Sequence, residues 1–172
     1  NAAVAFDYLV GKGLRDFQAA AVIGNLQQES RLDPRGSGPD PTRTNPARMG
    51  RGIAMWGDPG RWQNLLAFAA GRDPQALDTQ LDFLWYELQS QPGLGLQQLL
   101  ATTTVQDATI VFQDRFENPS QAMAAPQKRI AYAQGALYSC PAIRPPTRRS
   151  GVVAATMGVL ALVGAVGYSV FK

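Results

Sequence analysis

Leu77, Leu81, Leu84 and Leu88 in the stretch LDTQLDFLWYELQS recur at intervals that only an α-helix gathers onto one face. Asp78, Asp82 and Glu87 fall elsewhere around the cylinder, so the pattern predicts an amphipathic helix lying on a core. The same spacing recurs along the chain. FDYLVGKG followed by LRDFQAAAVIGNLQQES reads as two helical segments parted by a glycine-bounded turn. In the second, Leu14, Phe17, Ala21 and Leu26 form an apolar face, and Glu29 lies in the last turn. RWQNLLAFAAG resumes a helical pattern closed by Gly71. DATIVFQDRFENP runs to an Asn-Pro stop, and PQKRIAYAQGALY begins with a proline suited to a first helical position. No strand pair and no internal repeat stands out, so the expected fold is mainly α-helical.

A chain of 172 residues is long enough to bury a core without disulfides or metals. It has no histidine and one cysteine, Cys140, which excludes an internal disulfide and leaves packing to hold the fold. The same absence excludes a zinc site built from His and Cys, a Ser-His-Asp triad and a Cys-His pair. An enzyme of this composition works its acid and base chemistry mainly through carboxylates. Cys140, in LYSCPAIRPP, reads as a structural bystander. The net charge of +3 comes from scattered Lys and Arg, a weak bias towards an anionic polymer or surface. A basic stripe with interleaved aromatics is absent, so nucleic acid is not an expected partner.

Two segments depart from the helical pattern. DPRGSGPDPTRTNPARMGRG, from Asp33 to Gly52, is dense in Pro, Gly and short polar residues and reads as a long loop, a common location of function. Past residue 140 the chain turns Pro- and Arg-rich over 141–150, then carries about twenty uncharged residues, the length of a membrane span. Gly158, Gly164, Gly167, Ala154, Ala161 and Ala165 equally suit a helix packed closely within a protein. Arg144, Arg148 and Arg149 precede the run, which under the positive-inside rule would leave the domain in the cytoplasm. The expected organisation is a domain over 1–140, a linker over 141–150 and a hydrophobic helix over 151–172, buried against the domain or membrane-associated.

Glu29 is the residue most suited to chemistry. An acid that cleaves a glycosidic bond must carry a proton near neutral pH, so its surroundings must disfavour its charge. The C-terminal end of a helix is partially negative and the nearby apolar segment offers desolvation, both in the right direction. Ser30, beside it, is placed to orient the carboxyl group.

The ordered set GNLQQES, GIAMW and LDTQLDFLWYEL, with FENP after it, resembles the pattern of phage tail lysozyme-like domains. ESRLDP followed by GRGIAMWG is similar to the corresponding segments of lytic transglycosylases and goose-type lysozymes. The resemblance spans roughly Phe6 to Tyr138. With its hydrophobic tail, the chain is also similar to the lytic enzymes of cystoviruses, the enveloped double-stranded RNA bacteriophages. These likenesses imply a lysozyme-like helical domain that degrades peptidoglycan in the host periplasm from a virion, as a monomer, without cofactor or metal.

On the same resemblance Glu29 is the catalytic glutamate with Ser30 beside it. Gly52, Ile53 and Ala54 form the turn that faces the substrate, and Trp56 supplies an apolar wall or stacking surface. Met55 stands where the relatives usually carry glutamine, and Trp62 is a further candidate for ligand contact. Glycosidases commonly pair two carboxyl groups about 5–5.5 Å apart when retaining and about 6.5–9.5 Å apart when inverting. Asp58 and Asp40 are the candidates for the second, whereas the DP context of Asp33 suits a turn. Lytic transglycosylases manage with one glutamate. Phe83, Trp85 and Tyr86 read as core; Arg31, Arg35, Arg43, Arg48, Arg51 and Arg61 bracket the site and read as solvated loop charges, with contact to peptide-stem or wall carboxylates as the alternative. Two other functions stay open: an endopeptidase cutting the peptide cross-links, and a non-catalytic glycan-binding virion protein in contact with capsid or membrane.

Overall fold

The computed structural model describes residues 1–39, 49–58, 60–119, 121 and 124–140. The linker over 141–150, the hydrophobic segment over 151–172, Asp40, Arg43 and Arg48 lie outside the described residues. Seven α-helices are described: α1 (Ala2–Gly11), α2 (Asp16–Ser30), α3 (Arg61–Ala69), α4 (Leu77–Ser90), α5 (Leu96–Ala101), α6 (Val105–Phe112) and α7 (Pro126–Ser139). None is long and apolar enough to cross a membrane.

The helix built on Leu77, Leu81, Leu84 and Leu88 forms as expected, with the last three buried and Leu77 packed on their cluster. The second helix goes further than its spacing implied. From Gln18 to Leu26 every residue of α2 is buried, so it is a central helix packed all round, chiefly by α7, α6 and α1. Small side chains make this possible. A Cβ on Gly24 would lie 2.6 Å from the backbone of both Arg129 and Ala133, so the glycine sets how closely α2 and α7 approach. Gly24→Ala is expected to cost about 1–3 kcal/mol by forcing these backbones apart, measurable as a lowered midpoint in urea unfolding.

The two polar residues within the buried stretch, Gln18 and Asn25, have partners. Gln18 donates to the carbonyls of Leu99 (2.8 Å) and Leu100 (3.1 Å), and Asn25 to those of Ala21 (2.9 Å) and Thr109 (3.1 Å). These bonds set α2 parallel to the chain from Leu99 through α6. Past Phe112 that chain widens into one π-helical turn, Gln113–Glu117, closed by Asn118 donating to the Gln113 carbonyl at 2.8 Å.

The loop from Asp33 to Gly52 is where the sequence expectation needs correcting, because it holds strands. β1 (Ser37–Pro39), β2 (Met49–Arg51) and β3 (Trp56–Asp58) form a small antiparallel sheet in that order. At three residues each, the strands are too short for alternation to register. Gly38, Gly50 and Gly57 align across the sheet.

Cys140 is a free thiol packed against the core beside the C-terminal end of α7. Phe83 is buried and Trp85 packs on the core, but Tyr86 is half exposed, its ring 5.2 Å from that of Phe68.

Candidate active site

The end of α2, the turn between β2 and β3, α7 and the π-helical turn converge on Glu29. Helix α2 stops at Ser30 because Arg31 and Leu32 both turn left-handed, with φ of 59° and 57°. This presents Glu29 on the last turn with 21% of its side chain exposed. Its Oε1 accepts from Arg129 Nη2 at 2.5 Å. The desolvated apolar setting expected around Glu29 is therefore replaced by an ion pair.

Arg129, only 2% exposed, is held from four directions. Nε donates to the Ala124 carbonyl at 2.7 Å, and Nη1 donates to Asn25 Oδ1 at 3.1 Å and to the Asn25 carbonyl at 3.4 Å. Asn25 lies one helical turn before Glu29, so the Gly24-Asn25 pair of the GNLQQES segment has a physical purpose. Gly24 admits α7, and Asn25 orients the guanidinium that α7 brings.

Ser30 does not orient the Glu29 carboxyl. Its hydroxyl donates to the Ile53 carbonyl at 2.9 Å and accepts from the Asp33 amide at 3.2 Å, tying the end of α2 to the turn at Gly52–Met55. That turn is pinned from the other side by the buried Gln80. Gln80 Oε1 accepts from the Ile53 amide at 2.9 Å, while Nε2 donates to the carbonyls of Pro34 (2.7 Å) and Pro74 (2.8 Å). Gly52, at φ 72°, is required here: a Cβ would fall 2.7 Å from Gln80 Oε1. Asp33 forms the turn expected of it, accepting from the Arg35 amide at 2.9 Å.

The turn shows mostly its back to solvent. Gly52, Ile53 and Ala54 are buried, and Met55 folds over the sheet, where its Cε would lie 3.0 Å from a Cβ on Gly50 and 3.3 Å from one on Gly38. Trp56 is 1% exposed and offers no face to a sugar; its ring meets Phe83 edge-on at 5.5 Å. Its indole N–H donates to Glu87 Oε2 at 2.8 Å. Trp62 is likewise buried in the core.

Glu87, expected on the polar side of α4, is fully buried and ion-paired. Arg61 donates to it through Nε (2.9 Å) and Nη2 (2.7 Å), and its Nη1 donates to the Phe116 carbonyl at 3.3 Å. The Arg61 guanidinium also stacks 4.5 Å over the Phe116 ring. Arg61 is thus a brace joining α3, α4 and the π-helical turn, whereas Arg31 and Arg35 are exposed.

The last charged member is Glu117, in the FENP segment. Its Oε1 is buried with no hydrogen-bond partner among the described residues. Burial first, then the negative charge of Glu29, push its carboxyl well above the ordinary carboxylate range, against the pull of Arg61 and Arg129. Asp40 lies outside the described residues, and of Asp58 the backbone alone is described, paired with Met49. No group of His, Cys, Asp and Glu among the described residues could hold a metal ion.

Arg129, Gln80, Glu87 and Glu117 were not singled out from the sequence. A signal existed for the first: Arg129 shares the spacing of Ala133 and Ala136, which places it on the small-residue face that α7 buries. In comparison with known proteins, residues 1–139 match the phage tail lysozyme family. No curated protein matches the chain.

Proposed function

Because the chain belongs to the phage tail lysozyme family, we propose that it cleaves the bond between N-acetylmuramic acid and N-acetylglucosamine in bacterial peptidoglycan, with Glu29 as acid and base. The observation that carries this reading is the setting of Glu29. It is a partly exposed carboxyl on the last helical turn before a left-handed stop, held at 2.5 Å by a buried arginine that is itself anchored on three protein oxygens. A catalytic group needs that kind of fixed geometry, because orientation contributes as much as proton affinity.

Glu29 hands its proton to the bridging oxygen as the C–O bond to the muramic acid carbon breaks. The carboxylate left behind faces the Arg129 guanidinium, a charge-assisted contact that stabilises it. It then recovers a proton from the hydroxyl, of water or of the sugar itself, that attacks the oxocarbenium-like carbon. The protein serves the phage at the bacterial wall as a virion component.

The test is mass spectrometry of fragments released from purified Gram-negative peptidoglycan. Anhydro-muramic ends identify attack by the sugar's own hydroxyl, and reducing muramic ends identify attack by water. Intact glycan with split peptide cross-links, or wall binding without soluble products, would overturn the proposal.

A further inference from the structure

Glu29 must hold a proton at the moment of cleavage, yet its resting partner is a guanidinium, so the site needs a source for that proton. The register of the helices points to one. Gln18 bonds to Leu99 and Leu100, and Asn25 to Thr109, along two chain segments running the same way. Continued by one turn, that register brings Gln28 and Glu29 level with Gln113, the first residue of the π-helical turn that ends at Glu117. Such turns recur at functional sites because the extra residue re-aims side chains. Three acceptor oxygens on these two segments, Gln28 Oε1, Gln113 Oε1 and Glu117 Oε1, are buried without partners among the described residues. Only one of them belongs to a group that can carry a proton.

The charges facing Glu117 are Glu29 from α2, Arg61 from α3, Glu87 from α4 and Arg129 from α7. Arg61 is already committed to both oxygens of Glu87. The free balance at the centre is therefore two carboxyl groups and the single guanidinium of Arg129. One positive charge neutralises one carboxylate, so the other carboxyl group is stable there only with a proton.

We propose that Glu117 is a positioning residue for Glu29, the second carboxyl of the site, sharing with it one proton and the charge of Arg129. This rests on the reading of Glu29 as the catalytic acid. In the resting state Glu117 holds the proton and Glu29 is the carboxylate on Arg129. When substrate is seated, the proton passes to Glu29 and then to the bridging oxygen, and Arg129 balances the Glu117 carboxylate. The proton released from the attacking hydroxyl goes to Glu29 and passes back to Glu117, so the pair regains its starting state with no net gain or loss.

Glu117→Gln separates this role from a structural one, because glutamine reproduces the shape and neutrality of the protonated carboxyl but cannot transfer its proton. Initial rates on purified Gram-negative peptidoglycan, measured across pH with the full chain, are expected to show kcat down about tenfold or more with KM held. The alkaline limb is expected to move towards acid by at least about one pH unit, and Glu117→Asp to restore it. Should Glu117→Gln fail to fold, Glu117→Asp carries the test: a retained alkaline limb supports the proposal, and a lost one overturns it. A wild-type rate and pH profile in Glu117→Gln, beside an inactive Glu29→Gln, would overturn the shared proton while leaving Glu29 as the acid. Full activity in Glu29→Gln would instead remove the premise and the inference together.

Discussion

Glu29→Gln is expected to keep the fold and to lower the release of soluble muropeptides by roughly 10²–10⁴-fold, the usual share of general acid-base catalysis. The amide oxygen of glutamine still accepts from Arg129 Nη2, and the other bonds of Arg129 to Ala124 and Asn25 are untouched. The loss in stability should therefore be small beside the loss in rate. Far-UV circular dichroism and a urea melt establish the first, and fragment release establishes the second. A variant that digests walls at the wild-type rate would remove Glu29 from the chemistry.

Arg129→Met is expected to produce the largest loss of stability, about 3–5 kcal/mol, because one half of a mostly buried ion pair disappears while the other stays. Arg129 is 2% exposed and joins α2, α7 and the Ala124 carbonyl through its three nitrogens. Methionine fills much of the volume but leaves Asn25 Oδ1, the Ala124 carbonyl and the Glu29 carboxylate without their donor. The double variant Glu29→Gln with Arg129→Met should be less destabilised than the sum of the single changes, since the uncompensated carboxylate is gone. Urea midpoints of the three variants test this. Strict additivity would mean that the two side chains do not share the energy their geometry implies.

The measurements bear on different parts of the design. Stability is expected to follow the guanidinium that α7 brings against the central helix, and rate, on the proposed mechanism, the carboxyl it holds. Gly24 and Asn25 serve both, because the first lets α7 approach and the second aims Arg129. The short GNLQQES segment thus concentrates backbone spacing, orientation and the proposed catalytic acid within two turns of one helix.

The helices were readable from local pattern because 3.6-residue periodicity and capping are local physics. Leu81, Leu84 and Leu88, the end of α2 near Glu29 and the proline start of α7 all follow from neighbours a few positions away. Composition decided as much by exclusion, since an enzyme without histidine works its acid and base chemistry mainly through carboxylates. The small sheet escaped because three residues per strand carry no period, and its pairing depends on which segments the helices hold together. Glu87 looked like a solvent-facing residue of an amphipathic helix, and it is buried because Arg61 and Trp56 reach it from elsewhere in the chain. The ion pair of Glu29 joins residues 100 positions apart. No local rule relates such positions; the packing of α7 on α2 does, through the room left by a missing Cβ at Gly24. The kind of chemistry open to this protein was written in its residue types. Which carboxyl stands against a cation, and which lies buried without one bound to it, depends on distances that exist only once the helices have packed.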